Sequence, residues 1–259
     1  MINAATSENR LQEMDYLKNL KERFKKTALE GFYSSEVMEL LLSYGAPGAR
    51  VAALSSALIQ RFKCLRATLD APSDELRAVA GMRDNSVIFI KLLKETAGIY
   101  LRERMMKRDV VRSGRELLDY LNMTLSGERI EKFLAVYLNS AMEILAVETL
   151  FEGTINQTAV YPRKVVEKAL KHNAHGVIFV HNHPSGDSAP SETDKQLTIV
   201  LERAAKAIDL NVVDHIIIGR GPHFSAREKG WMGAPPRAAS RTGRSENMIG
   251  TPAAEKDGA

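Results

Sequence analysis

The sequence is poor in cysteine: Cys64 is the single thiol in 259 residues. That excludes an intrachain disulfide framework and a cysteine-only zinc site. No apolar run approaches the roughly 18 residues that a membrane span requires. The first ten residues, MINAATSENR, also lack the apolar core of a secretory signal. The expectation is a cytoplasmic protein with no membrane association. Charge of one sign is scarce as well, with 36 basic against 32 acidic residues and a net charge of +4. Such a balance permits nucleic-acid contact without arguing for it.

Hydrophobic residues make up 44% of the chain and charged residues 26%, an ordinary globular composition that excludes disorder over most of the length. The excess of base sits mainly in the first third. Residues 1–110 hold 18 basic and 14 acidic side chains, whereas residues 111–234 hold 14 and 15. Any nucleic-acid contact is therefore expected in the first third, where Lys21, Arg23, Lys25 and Lys26 cluster. A solvated amphipathic helix is the plainer explanation of that cluster.

Residues 1–110 read as helices. Apolar residues recur at helical spacing over Glu36–Tyr44 and Val51–Phe62, separated by the turn Gly45-Ala46-Pro47-Gly48. A third helix is expected after Ser73 as N-cap, and a fourth from about Ser86 to Met106. From Glu131 the period changes. Lys132–Asn139 and Glu143–Gly153 read as two strands joined by a turn at Ser140-Ala141-Met142. A helix beginning at Pro162 follows, then the apolar strand GVIFVHNH, a helix over Ser191–Ile208, and the apolar strand NVVDHIIIG. HFSAREKGWM, His223–Met232, adds a short strand or a turn. Alternating helices and strands predict an α/β (α+β) domain over residues 111–234 behind a helical domain over residues 1–110. Residues 235–259 have almost nothing to bury and are expected to be a disordered tail.

One constellation carries chemistry: His181-Asn182-His183-Pro184-Ser185-Gly186-Asp187, continuing to Ser191 and Asp194. Residues two apart on a strand face the same side, so both imidazoles can converge on one ion. Pro184 and Gly186 turn the chain, and the helix opening at Ser191 returns Asp194 in its first turn. Two imidazoles, one carboxylate and an open position suit a catalytic zinc site. Ser191-Glu192-Thr193-Asp194 is also close to a capping box, and the two readings are compatible. For a carboxylate base the residues leave a choice among Glu128, Glu131, Glu143, Glu148 and Glu152, all near strands.

The motif resembles the JAMM signature of the JAB/MPN metalloprotease superfamily. More closely, residues 31–232 resemble the bacterial RadC family, through Glu152–Val166, His181–Asp194, Asp214–Gly219 and Phe224–Gly230. The resemblance implies a mixed-sheet metal domain in which zinc is bound by His181, His183 and Asp194. It further implies that Ser191 stabilises an oxyanion, and that Glu131, directly before KFLAVYLN, is the general base. The activity implied is hydrolysis of an amide or isopeptide bond in a protein or peptide substrate. The family's name also links it to DNA repair. The alternative is a DNA-associated accessory or scaffold protein whose metal site is structural or vestigial.

The helical domain resembles a helix-hairpin-helix region, but the usual glycine–apolar–glycine turn reads Gly81-Met82-Arg83-Asp84-Asn85. The second glycine is Arg83, and Asp84 puts negative charge where a phosphate would sit, so only weak nucleic-acid contact is expected there. Asp214-His215, read as following a strand, is open between orienting a ligand imidazole and a structural role. His172 and His175 suit a helix end, His223 carries no assignment, and Asp187 is expected to form a turn. Cys64 is expected within a helix, and Thr154, Asn156 and Gln157 are candidates for a substrate groove.

Overall fold

The computed structural model describes residues 2–46, 50–153 and 161–232. The tail at 235–259, the turn residues Pro47 and Gly48, and the groove candidates Thr154, Asn156 and Gln157 lie outside the described residues. Seven helices come first: α1 (Ile2–Thr27), α2 (Ser34–Gly45), α3 (Val51–Phe62), α4 (Leu65–Asp70), α5 (Ser73–Arg77), α6 (Asp84–Met105) and α7 (Val110–Leu125). The strands and remaining helices follow as β1 (Lys132–Leu138), β2 (Ile144–Glu152), α8 (Pro162–Lys171), β3 (Gly176–Asn182), α9 (Glu192–Lys206), β4 (Asn211–Ile218) and β5 (Phe224–Ser225). Among the described residues no helix is long and apolar enough to cross a membrane.

The early helices bury one apolar cluster of their own. Met38 and Leu42 of α2, Leu54 and Leu58 of α3, Leu76 of α5 and Val87 and Ile90 of α6 meet there. Two local expectations are corrected. The N-cap of α5 is Pro72, with Ser73 as first helical residue and no side-chain cap. Cys64 is not inside a helix; it is the N-cap of α4, and its Sγ accepts from the Ala67 amide at 3.4 Å. The basic cluster on α1 is largely paired within the fold. Arg23 meets Glu36 at 2.7 Å, Lys25 meets Glu22 at 2.8 Å, and Lys21 lies over the Tyr44 ring.

The sheet is mixed, in the order β2-β1-β3-β4-β5, and only the β3–β4 pair is parallel. Its two faces bury two different cores, which explains why β1 is apolar from Phe133 to Leu138 and β3 from Val177 to Val180. Leu134, Val136 and Leu138 of β1, with Ile178 and Val180 of β3, pack on Leu117, Leu121 and Leu125 of α7. Phe133, Ala135 and Tyr137, with Val177 and Phe179, pack on Val165 and Ala169 of α8 and on Leu197 and Leu201 of α9. Helix α7 is additional to the elements read from the sequence, although Leu117, Leu121 and Leu125 are spaced four apart, as one buried helix face requires. Asp214 and His215 do not follow a strand, because they sit within β4.

Candidate metal centre

Two of the three candidate ligands come from the end of β3. His181 is the sixth residue of that strand, and His183 lies just past it, held by donation of its amide to the Ile218 carbonyl at 2.9 Å. The chain then turns through Gly186, whose φ of +92° is a conformation that glycine adopts without strain. The turn packs tightly on the end of β4: a Cβ at Gly219 would lie 2.4 Å from the Gly186 carbonyl oxygen. Arg220 donates its amide to that same oxygen at 2.9 Å. Asp194 arrives at the third position of α9, in a capping box with Ser191. The Ser191 hydroxyl donates to Asp194 Oδ2 at 2.6 Å and accepts from the Asp194 amide at 3.2 Å. The Ser191 amide donates to the same Oδ2 at 2.7 Å.

The result is a compact group of His181, His183 and Asp194. His181 Nε2 lies 3.0 Å from His183 Nε2 and 3.1 Å from Asp194 Oδ1, and His183 Nε2 lies 3.4 Å from Asp194 Oδ2. Tetrahedral zinc with bonds of about 2.0–2.1 Å holds its ligand atoms about 3.3–3.4 Å apart. The observed spacing is close to that.

The protons of this group are placed by its neighbours. The Asp194 carbonyl can only accept, so the Thr198 hydroxyl donates to it, at 2.6 Å. His215 Nδ1, 2.6 Å from the same hydroxyl oxygen, must then be the donor to it. Burial drives the affinity of His215 for a second proton well down, aided by the nearby His181, so its Nε2 is bare. That bare nitrogen accepts from His181 Nδ1 at 2.9 Å. His181 is itself lowered by burial, and its Nε2 is left with a lone pair aimed at Asp194. His183 reaches the same tautomer by another route, donating Nδ1–H to the Asp187 carbonyl at 2.8 Å. Two imidazole lone pairs and a carboxylate therefore face one point, an arrangement suited to a cation.

The electrostatics agree. Burial alone would raise the Asp194 carboxyl, yet Nε2–H donation from the protonated forms of His181 and His183 holds it far below the usual carboxylate range. His183 is raised, first by its bond with Asp194 and against its half-burial. A divalent ion would take the place of that proton. Asp194 is 4% exposed and His181 1%, so the charge lies in a medium where attraction is strong.

Beside the group lies an open pocket of about 700 Å³ lined by Arg129, Glu131, His183, Ser191 and Asp194, among others. Of the five candidate glutamates, Glu131 is the one that lines it. Its charge is near enough to raise the basicity of both His181 and His183. Glu128 pairs with Lys132 at 3.0 Å, and Glu152 reaches the same lysine at 3.8 Å. Glu143 bonds Asn139 at the β1–β2 turn, and Glu148 bonds Lys168 and His172.

The remaining candidates separate cleanly. His215 touches a candidate ligand, whereas Asp214 ties β4 to the following segment through the Ser225 hydroxyl at 2.6 Å and the Arg227 amide at 3.0 Å. Asp187 turns the chain by accepting from the Ala189 amide, and its own carbonyl orients His183. His172 ends α8 on Glu148, away from the metal group. Sequence reasoning missed Thr198 and Asn182; a hydroxyl one turn after Asp194 on α9 and an amide between the two histidines were the available signals.

Comparison with known proteins identifies the family. The family described as RadC-like JAB domain matches residues 111–231. A UPF0758 protein of Pseudoalteromonas translucida is 35% identical over 210 residues, covering 81% of this chain and 94% of the relative. A UPF0758 protein of Ruegeria pomeroyi is 35% identical over 218 residues, covering 84% of this chain and 97% of the relative. A third, from Chromobacterium violaceum, is 35% identical over 198 residues, 76% of this chain and 88% of its own. The chain belongs to the RadC family.

Proposed function

We propose that this protein is a zinc-dependent hydrolase of amide or isopeptide bonds in a protein or peptide substrate. The observation that carries the reading is the convergence of His181 Nε2, His183 Nε2 and the Asp194 carboxylate beside the pocket that Glu131 lines. Zinc held by His181, His183 and Asp194 would supply a water that ionises near about pH 7 and an electrophile for the scissile carbonyl. Glu131 accepts the proton of the attacking water and returns it to the leaving amine. Ser191 lines the same pocket. Its hydroxyl proton rests on Asp194, and rotation of that hydroxyl toward the pocket gives a donor for the developing oxyanion.

The test is metal content per chain by elemental analysis of the parent and of His183→Ala, followed by peptide and isopeptide cleavage assays on the zinc-loaded parent. About one zinc in the parent, almost none in the variant, and cleavage by the parent alone are expected. A parent that stays metal-free after zinc is added back removes the hydrolase reading. It would leave the DNA-associated accessory role in front, to be checked by salt-dependent nucleic-acid affinity.

A further inference from the structure

Residues 130–132 are tied to Asn182 at the end of β3 and to Gly153 just past β2 by three hydrogen bonds. The ladder between β1 and β3 ends at the pair Phe133–His181, one residue short of Lys132. The side chain of Asn182 takes over there. Its Oδ1 accepts from the Lys132 amide at 2.8 Å, and its Nδ2 donates to the Ile130 carbonyl at 3.2 Å. These partners also fix which end of the amide is which, since the first can only donate and the second can only accept. From the other side the Gly153 amide donates to the Glu131 carbonyl at 2.9 Å. Asn182 is 1% exposed, so its amide oxygen and amide nitrogen each need a partner, and each has one.

Asn182 stands between His181 and His183 in sequence and bonds the residue before and the residue after Glu131 in space. We infer that Asn182 is a positioning residue, a bracket that holds Glu131 at a set place relative to the metal ligands. The inference rests on the proposed zinc site and adds to it the part that couples base and ligands. A general base must sit within hydrogen-bond reach of the proton that it removes, and a shift of about 1 Å in such a group is costly. An apolar residue at position 182 would leave the Lys132 amide and the Ile130 carbonyl without these partners and the Glu131 segment tethered by Gly153.

The test uses the full chain with cobalt(II) in place of zinc as the probe. The variants are Asn182→Ala, Asn182→Ser as a smaller change should the first fail to fold, Glu131→Gln, and the double variant. Amide exchange over residues 130–132 in the metal-free protein reads the bracket directly. Exchange at least about tenfold faster in Asn182→Ala, with the rest of the sheet unchanged, is expected. The pH midpoint of the cobalt absorption spectrum reads the consequence. Glu131→Gln should lower it by about one unit, because a neighbouring carboxylate opposes ionisation of the metal's water. Asn182→Ala should move it the same way with cobalt content unchanged, and the double variant should match Glu131→Gln alone. Additive shifts, or an unmoved midpoint in Asn182→Ala, would overturn the positioning role. A parent that takes up no cobalt overturns the zinc site itself and the inference with it, and shows this before any variant is compared.

Discussion

His215 Nε2 lies 2.9 Å from His181 Nδ1, and that contact decides which nitrogen of His181 faces Asp194. The decision originates at the Asp194 carbonyl, which takes the Thr198 proton and so forces each later donor in the chain. Helix α9 thus supplies a candidate ligand through the side chain of one residue and sets a tautomer through the backbone of the same residue.

Thr198→Val should therefore weaken zinc binding while keeping nearly the same volume. Partners that orient ligand imidazoles are worth about 10–100-fold in metal affinity. Competition with a chelator of known affinity measures this. Affinity equal to that of the parent would mean that the relay is not used.

Glu131→Gln should retain zinc and abolish hydrolysis, because the carboxylate lines the pocket and lies outside the ligand group. Paired measurements of metal content and single-turnover cleavage separate the two properties. Cleavage at the parental rate would place the base elsewhere.

Ser191→Ala should act twice. It removes the cap of α9, at about 1 kcal/mol, and it frees Asp194 from a bond of 2.6 Å. A lower melting temperature together with weaker zinc binding is expected. An unchanged melting temperature would show that the capping box contributes nothing.

Leu121→Ala tests the unforeseen helix. Leu121 is fully buried between α7 and the sheet, and a cavity there should cost about 2–5 kcal/mol. Urea unfolding checks it, and a loss below about 1 kcal/mol would mean that α7 is not part of that core.

Acid stability has a local source in Glu148. Its bond with His172, and then that with Lys168, holds its carboxyl below the ordinary 4.5. The unfolded chain then binds more protons in acid, so this contribution is complete above about pH 4.5 and fades as pH falls through the lowered value. The difference in melting temperature between parent and Glu148→Gln should shrink from about pH 6 to about pH 3. A difference independent of pH would assign the effect to packing.

The grouping of His181, His183 and Asp194 was legible from residue order because each part of it is local. His181 and His183 are two apart at a strand end, and Asp194 is three residues beyond a capping serine. Strand alternation and helix capping turn those short spacings into directions without help from the rest of the chain. Glu131 needed the resemblance to single it out, because five glutamates lie near strands and proximity to the pocket depends on the register of β1 against β3. His215, Thr198 and Asn182 needed the fold itself. His215 meets His181 across the β3–β4 pair, Thr198 meets His215 from α9, and Asn182 reaches back to the residues before β1. A pattern along the chain states which side chains share a face. It does not state which distant strand lies against that face, and the hydrogen bonds that aim the two imidazoles and bracket Glu131 are made across that packing.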